Sequence, residues 1–259
     1  MMSNPHPIIT FPQQQKLVAK LSHILKIHQN TEGEIRPHFH LTGPSGSGKS
    51  YLLNSLCEEL GLKMIEINAA GLTAEGLSGN SLSKALRKLR EHWNEPNVIF
   101  VDEFDKLFQR NGETTEGFRS IVQDEFLTAL ESKYTSIFTD YGKYEPVQIN
   151  KSLFVFAGAY SNQKITTIAD LQSAGLRTEF VGRVPLVLYT EEIPLHELRK
   201  HVPKTKLFMD YSAHLHLSKE QERKAVSWII DRMESQKREM TIGIRLLNST
   251  IHQYFMKDL

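Results

Sequence analysis

The chain has 259 residues, with Lys+Arg 31 against Asp+Glu 30, a formal charge of +1 and one cysteine. That length suggests one large domain or two unequal ones, with core enough to dispense with covalent staples. The cysteine count excludes an intrachain disulfide framework and a Cys-rich zinc module; no apolar run approaches the roughly 20 residues needed to span a bilayer; and the balanced charge argues against a basic nucleic-acid arm or a polybasic membrane patch. The opening MMSNPHPIITFPQQQ has no basic stretch leading into an apolar one, so no secretory signal is expected. Sparse cysteine fits a reducing compartment, and a cytoplasmic location is the expectation.

In chain order, residues 13–28 place Leu17, Leu21, Ile24 and Leu25 on one helical face. A strand follows at 38–42, then a helix over 49–60 with Leu52, Leu53, Leu56 and Leu60, which Gly61 can cap. The next strand is expected at 63–67, a helix over 81–93, a strand at 97–101 and a helix over 118–131. The polar stretch 109–117 reads as a mobile loop. Strands are expected at 152–157 and within 183–189. Strand–helix alternation of this kind implies a parallel sheet with helices on both faces, an α/β fold. Beyond residue 190 helical stripes take over, at 219–236 and 243–256, with a brief alternating piece at 211–217 of strand type. The division is therefore a large domain over 1–190 and a small, mostly helical one over 191–259, hinged near Thr190–Pro194.

The strongest chemical signal is GPSGSGKS at 43–50, which satisfies G-x-x-x-x-G-K-[ST] between a strand and a helix. Glycine freedom at Gly43, Gly46 and Gly48 lets the backbone turn tightly and aim N–H groups at phosphate oxygens, and the following helix adds its positive end. Pro44, Ser45, Ser47 and Tyr51 complete the candidate nucleotide-binding stretch. Lys49 is placed to reach the β- and γ-phosphates of ATP, and Ser50 to offer a hydroxyl to Mg²⁺. The second signal is NVIFVDEFD at 97–105, an apolar strand ending in two acids. Asp102 suits a Mg²⁺ site, and Glu103 suits the polarisation of an attacking water. A flexible Gly/Ser loop and a solvated acidic turn are the plainer readings of each segment alone; their pairing about 50 residues apart favours the chemical one.

Together these motifs resemble those of the AAA+ ATPases, and in detail the branch that includes ClpX and HslU. The likeness runs through most of residues 8–259. The stretch DLQSAGLRTEFVGRVPLV at 170–187 is similar to the ClpX segment ending in EFxGRxP, where the arginine acts on a neighbouring subunit's ATP; Arg183 stands there. GIRLL at 243–247 resembles the sensor-2 motif and places Arg245 toward the γ-phosphate of its own subunit. PIITFPQQQKLVAKL at 7–21 resembles the family's opening motif, in which Ile8 and Ile9 flank adenine. The resemblance implies a five-stranded parallel sheet with a helical lid, nucleotide bound between the two domains, Mg²⁺-dependent ATP hydrolysis and a homo-oligomeric ring, a hexamer. Read without it, Arg183 is equally a surface ion-pair partner and Arg245 a residue capping or lying along its helix.

Several segments depart from the ClpX pattern. The segment aligned with the first pore loop reads Gly76-Leu77-Ser78-Gly79, so Leu77 replaces an aromatic and offers less area and no π-face. The stretch from Ser161 to Leu171 is short where ClpX carries its ClpP-docking loop, and the Cys-zinc domain of ClpX has no counterpart here; no ClpP partnership is expected. In FAGAYSN at 156–162 the usual sensor-1 polar residue is not at the strand end, leaving Ser161 or Asn162 for that role. The 109–117 loop, with Arg110 and Arg119, lies where the family has its second pore loop. His38 and His40, like His214 and His216, alternate as metal ligands on a strand face would, but without a third ligand they read as ordinary strand residues. Cys57 shares a face with Leu53 and Leu60 and reads as core.

The reading is a ClpX-like remodeller of proteins or complexes, with a protein client or adaptor, no membrane and no peptidase. The alternative is an AAA+ ATPase acting on nucleic acid in replication, transposition or packaging. Against it, residues 191–259 carry Lys+Arg 12 and Asp+Glu 10, which is no basic DNA module. An adaptor-like subunit that scarcely turns over ATP is the third reading, and the Asp102–Glu103 pair counts against it.

Overall fold

The structure is a computed structural model; it describes residues 10–74, 79–107, 113–139, 142–236 and 243–257, with side chains left undescribed over 113–119. The elements in chain order are α1 (Gln15–Asn30), β1 (Phe39–Thr42), α2 (Lys49–Leu60), β2 (Lys63–Asn68), α3 (Leu82–Ala85), β3 (Asn97–Asp102), α4 (Glu113–Glu131), β4 (Tyr134–Phe138), β5 (Tyr144–Gln148), β6 (Ser152–Gly158), α5 (Ile168–Ser173), α6 (Thr178–Arg183), β7 (Leu186–Tyr189), α7 (Leu195–His201), α8 (Lys206–His214), α9 (Lys219–Gln236) and α10 (Ile244–Phe255). The backbone forms two compact units. One comprises residues 1–10, 14–43 and 49–190; the other comprises 11–13, 44–48 and 191–259.

In the first unit, five parallel strands lie in the order β2-β3-β6-β1-β7. The five strands expected between residues 38 and 189 are all present. Their near-continuous apolar character follows from burial on both faces. Alternation along β3 sends Val98 and Phe100 to one core, with Phe39 and Leu41 of β1, Leu21 and Leu25 of α1, and Leu52, Leu53 and Cys57 of α2. It sends Ile99 and Val101 to the other, with Phe154 and Phe156 of β6, Phe126 of α4 and Phe180 of α6. His38 and His40 face this second core. His38 accepts from the Phe154 N–H at 3.0 Å. His40 lies among the rings of Phe104, Phe156 and Phe180, and neither of its ring nitrogens has a hydrogen-bond partner. Burial pushes both imidazoles down to about 3, with Arg36 and His28 adding repulsion at His38. These are core residues, and among the described residues no cluster of three or more His, Cys, Asp or Glu is gathered to hold a metal.

In the second unit, α9 turns Ala225, Ile229 and Met233 inward at four-residue spacing. Helix α10 contributes Leu246, Leu247 and Ile251, and the Phe255 ring stacks on Tyr211 of α8 at 4.4 Å.

Four local expectations change. The piece 211–217 is not a strand: the Thr205 side chain accepts from the Phe208 N–H and caps α8, which runs to His214. The inward spacing is Phe208 to Ser212, a helical one. The helix expected over 81–93 is α3 followed by a 3-10 helix over Leu86–Glu91. Helix α4 begins at Glu113 and so includes residues 113–117 of the expected loop. Finally, β4 and β5 form an antiparallel hairpin with no counterpart in the sequence reading. Only Ile137 and Val147 of its strands are buried, and β5 carries Pro146, which a strand without a second neighbour tolerates. That leaves little apolar alternation to read. No helix among the described residues is long and apolar enough to cross a membrane.

Candidate functional site

Because the sheet is parallel, the carboxyl ends of β1, β3 and β6 lie at one edge, where open α/β sheets bind ligands. The loop following β1 carries left-handed glycines: Gly43 at φ 138°, Gly46 at φ 77° and Gly48 at φ 89°. At Gly43 a Cβ would also lie 2.3 Å from the Thr190 carbonyl oxygen, so only glycine fits. Lys49, the first residue of α2, is buried and donates from Nζ to the Gly43 carbonyl at 2.7 Å. Its ammonium is thereby folded back onto the loop. Ser50 beside it is half-buried and Tyr51 exposed; Pro44 and Ser45 are half-buried and Ser47 buried, its N–H donating to the Pro44 carbonyl at 3.3 Å.

Loop residues 44–48 belong to the second unit together with α10. There Arg245, in the first turn of α10, donates from Nη1 to Ser45 Oγ at 3.0 Å. The Ile244 N–H donates to the Gly46 carbonyl at 3.1 Å. Gly243 makes that approach possible: its φ is 108°, and a Cβ there would lie 2.3 Å from the same carbonyl oxygen.

At the end of β3, Asp102 is half-buried and Glu103 exposed. Glu103 has a left-handed backbone at φ 54°, and its N–H donates to Asp102 Oδ1 at 2.8 Å. Such a conformation costs a non-glycine residue roughly 1–2 kcal/mol, so the acid pair is held by its surroundings rather than by local preference. Arg183, at the end of α6, is ion-paired with Glu131 of α4, and its Nη1 also donates to the Glu179 carbonyl at 2.9 Å. Ile8, Ile9, Gly76, Leu77, Ser78 and Arg110 lie outside the described residues, as does the Arg119 side chain.

Sequence reasoning passed over Asp105 and Thr42. Asp105 is buried, and its Oδ2 accepts the Tyr160 N–H at 3.1 Å. Tyr160, Ser161 and Asn162 follow β6 with φ of 50°, 54° and 62°, three consecutive left-handed residues of which none is glycine. Burial, then the Asp105 charge, raises the Tyr160 phenol above its ordinary value. Thr42 Oγ1 donates to the Ile165 carbonyl at 2.5 Å and so ties the segment after this turn to the end of β1. Both contacts join positions far apart in the chain, and only the acidic character of Asp105 within DEFD hinted at either.

Residues 39–178 match the family model described as ATPase family associated with various cellular activities (AAA), more than half of the chain. The chain belongs to that family. The matched segment begins at β1 and takes in the glycine loop, the acid pair and the Tyr160–Asn162 turn of this AAA ATPase. Curated relatives lie in the ClpX-like branch. The ATP-dependent Clp protease ATP-binding subunit ClpX of Borrelia duttonii is 24% identical over 233 residues, covering 71% of this chain and 54% of that protein. ClpX 2 of Wolinella succinogenes is 27% identical over 238 residues, covering 75% and 59%. The AAA chain thus spans a little over half the length of the curated relatives it matches.

Proposed function

We propose that this AAA ATPase binds ATP with Mg²⁺ and couples its hydrolysis to the remodelling or unfolding of proteins, as one subunit of a ring. The observation that carries the reading is that Gly43 and Lys49, which follow β1, and the Asp102–Glu103 pair, which closes β3, lie at the same edge of one parallel sheet. In this reading residues Gly43 to Tyr51 cradle the phosphates. Lys49 gives up its bond to the Gly43 carbonyl for the β- and γ-phosphates, a charge-assisted exchange. A hydroxyl and a carboxylate are hard oxygen donors, and both are partly accessible, so Ser50 and Asp102 fit Mg²⁺. Bound there, the ion would neutralise charge on the phosphates. Glu103 takes a proton from the attacking water. Arg245 serves the nucleotide of its own subunit and Ile8 and Ile9 the adenine. Residues 1–190 act as the nucleotide-binding domain and 191–259 as the smaller helical one, with the hinge near Thr190–Pro194.

Arg183 acts on a neighbour's nucleotide in this reading, which makes assembly a condition of activity; a hexamer is the form the ClpX likeness favours. Only residues 159–167 separate β6 from α5, a connection too short for a peptidase-docking loop, which supports action without ClpP. The substrate class rests on the ClpX relatives. The test is steady-state ATP turnover by the chain alone and with an unfolded protein, single-stranded DNA or duplex DNA. Stimulation by the polypeptide alone is expected. Stimulation by DNA alone would overturn the substrate class, and absence of turnover under all conditions would overturn the reading of the site.

A further inference from the structure

The turn after β6 runs through three consecutive left-handed residues that are not glycine, and on the β3 side a buried carboxylate holds it. Sheet order puts β6 between β3 and β1, so the turn lies between the Asp102–Glu103 pair and Gly43 at the end of β1. Three observations bear on it. Tyr160, Ser161 and Asn162 are all left-handed, a run that no local preference sustains. The Tyr160 N–H is held by Asp105 Oδ2 at 3.1 Å, a bond strengthened by the carboxylate charge and by burial. Gly158 leaves the space this needs: a Cβ there would lie 2.9 Å from Asp105 Oδ1 and 2.7 Å from the Tyr160 ring. Beyond the turn the chain is tied again, through Ile165 to Thr42. Ser161 and Asn162 are consequently exposed on a loop pinned at both ends.

We propose that Asp105 is a positioning residue for ATP turnover: through the Tyr160 amide it holds the left-handed turn that presents Ser161 and Asn162 beside the acid pair. The inference rests on the reading of this edge as an ATP site. Asp105 itself touches no reacting atom. It lies in the short helix over Phe104–Leu107, directly after Glu103, so one rigid piece of backbone carries the water-polarising acid and sets the turn opposite it. Loss of the carboxylate releases the turn and misplaces its side chains, while the glycine loop and Lys49, which dominate nucleotide binding, stay as they are.

The experiment compares wild type with Asp105→Asn, Asp105→Ala and Gly158→Ala. Asparagine keeps an acceptor oxygen for the Tyr160 N–H; alanine removes it; Gly158→Ala pushes the carboxylate aside while Asp105 itself is unchanged. Readouts are kcat and KM for ATP, the Kd for a fluorescent ADP analogue, and hydrogen exchange of the peptide spanning 159–165. A hydrogen bond to a charged group is worth enough to expect a loss in kcat on the order of 10- to 100-fold in Asp105→Ala and Gly158→Ala. The ADP Kd is expected to change by less than about threefold, with faster exchange over 159–165, and Asp105→Asn is expected to recover most of the rate. Wild-type kcat in Asp105→Ala would overturn the proposal. So would parallel losses in kcat and ADP affinity, which mark general damage. A wild-type chain without turnover would instead overturn the ATP-site reading, so the two failures are distinguishable.

Discussion

Lys49 and Glu103 follow strands at the same edge of one sheet, with β6 between them, but in the proposed function they are asked for different things. In the proposed function Lys49 supplies charge to bound phosphate; in the structure the Gly43 carbonyl holds it. Removing it with Lys49→Ala is expected to weaken ATP binding by at least about 100-fold in calorimetry, since contacts to charged groups are worth roughly 1.5–3 kcal/mol each. Glu103→Gln keeps shape but cannot accept the water's proton; it is expected to bind ATP with wild-type affinity and lose about 10²–10⁴-fold in turnover, measured by phosphate release. The buried histidines give a second residue-scale effect. His38 and His40 have folded values near 3, below the 6.5 of the unfolded chain. Below pH 6.5 the unfolded state binds protons the folded state refuses, so their contribution is intact at pH 7 and falls away toward pH 3. Each is expected to remove about 2 kcal/mol by pH 5. The urea midpoint should therefore drop between pH 7 and pH 5, and His40→Leu, which deletes two unpartnered nitrogens, should remove roughly half of that drop.

Among elements, the junction of β1 with its loop is closely packed. Thr190 N–H donates to the Thr42 carbonyl at 2.9 Å, extending the β1–β7 pairing up to Gly43. A methyl group at Gly43 would meet the Thr190 carbonyl oxygen at 2.3 Å and sit on a backbone of φ 138°. Gly43→Ala is expected to cost on the order of 2–4 kcal/mol in urea unfolding, because neither backbone can give way without breaking the pairing. Sequence patterning captured α2 and α9 to their ends, since both are long stripes, Leu52-Leu53-Leu56 and Ala225-Ile229-Met233. It misread 211–217, where Tyr, Ala, Leu and Leu happen to alternate but Thr205 caps a helix. It missed the β4–β5 hairpin because burial there is limited to Ile137 and Val147, too few positions to make a pattern.

For the whole molecule the deciding residue is Arg183. Its ion pair with Glu131 joins two side chains that are each at least a third exposed, so it contributes little to stability and can be exchanged for a phosphate without a large cost. If it works in trans, Arg183→Ala alone is expected to lose about 10³–10⁵-fold in turnover with a melting temperature close to wild type. Mixing that variant with Glu103→Gln should restore part of the activity, because some interfaces then pair an intact Arg183 with an intact Glu103. Mixed assemblies as inactive as the parents would show that the arginine does not reach across subunits.

The sequence by itself carried the residues on which the proposed chemistry at the sheet edge rests. A glycine loop with Lys49 and Ser50, and a strand ending in Asp102 and Glu103, are local patterns whose spacing is set by backbone geometry within a few residues. It determined the order of the parallel strands' apolar runs for the same reason, since full burial leaves its mark on each strand separately. The tertiary structure alone decided what depends on positions distant in the chain: the Asp105 carboxylate on the Tyr160 amide, Thr42 on Ile165, Arg183 on Glu131, and the burial of His40 among three phenylalanines. Each of those is a contact between residues that no periodicity links, made when separate elements close on one core, and so it has no signature in any single stretch of the sequence.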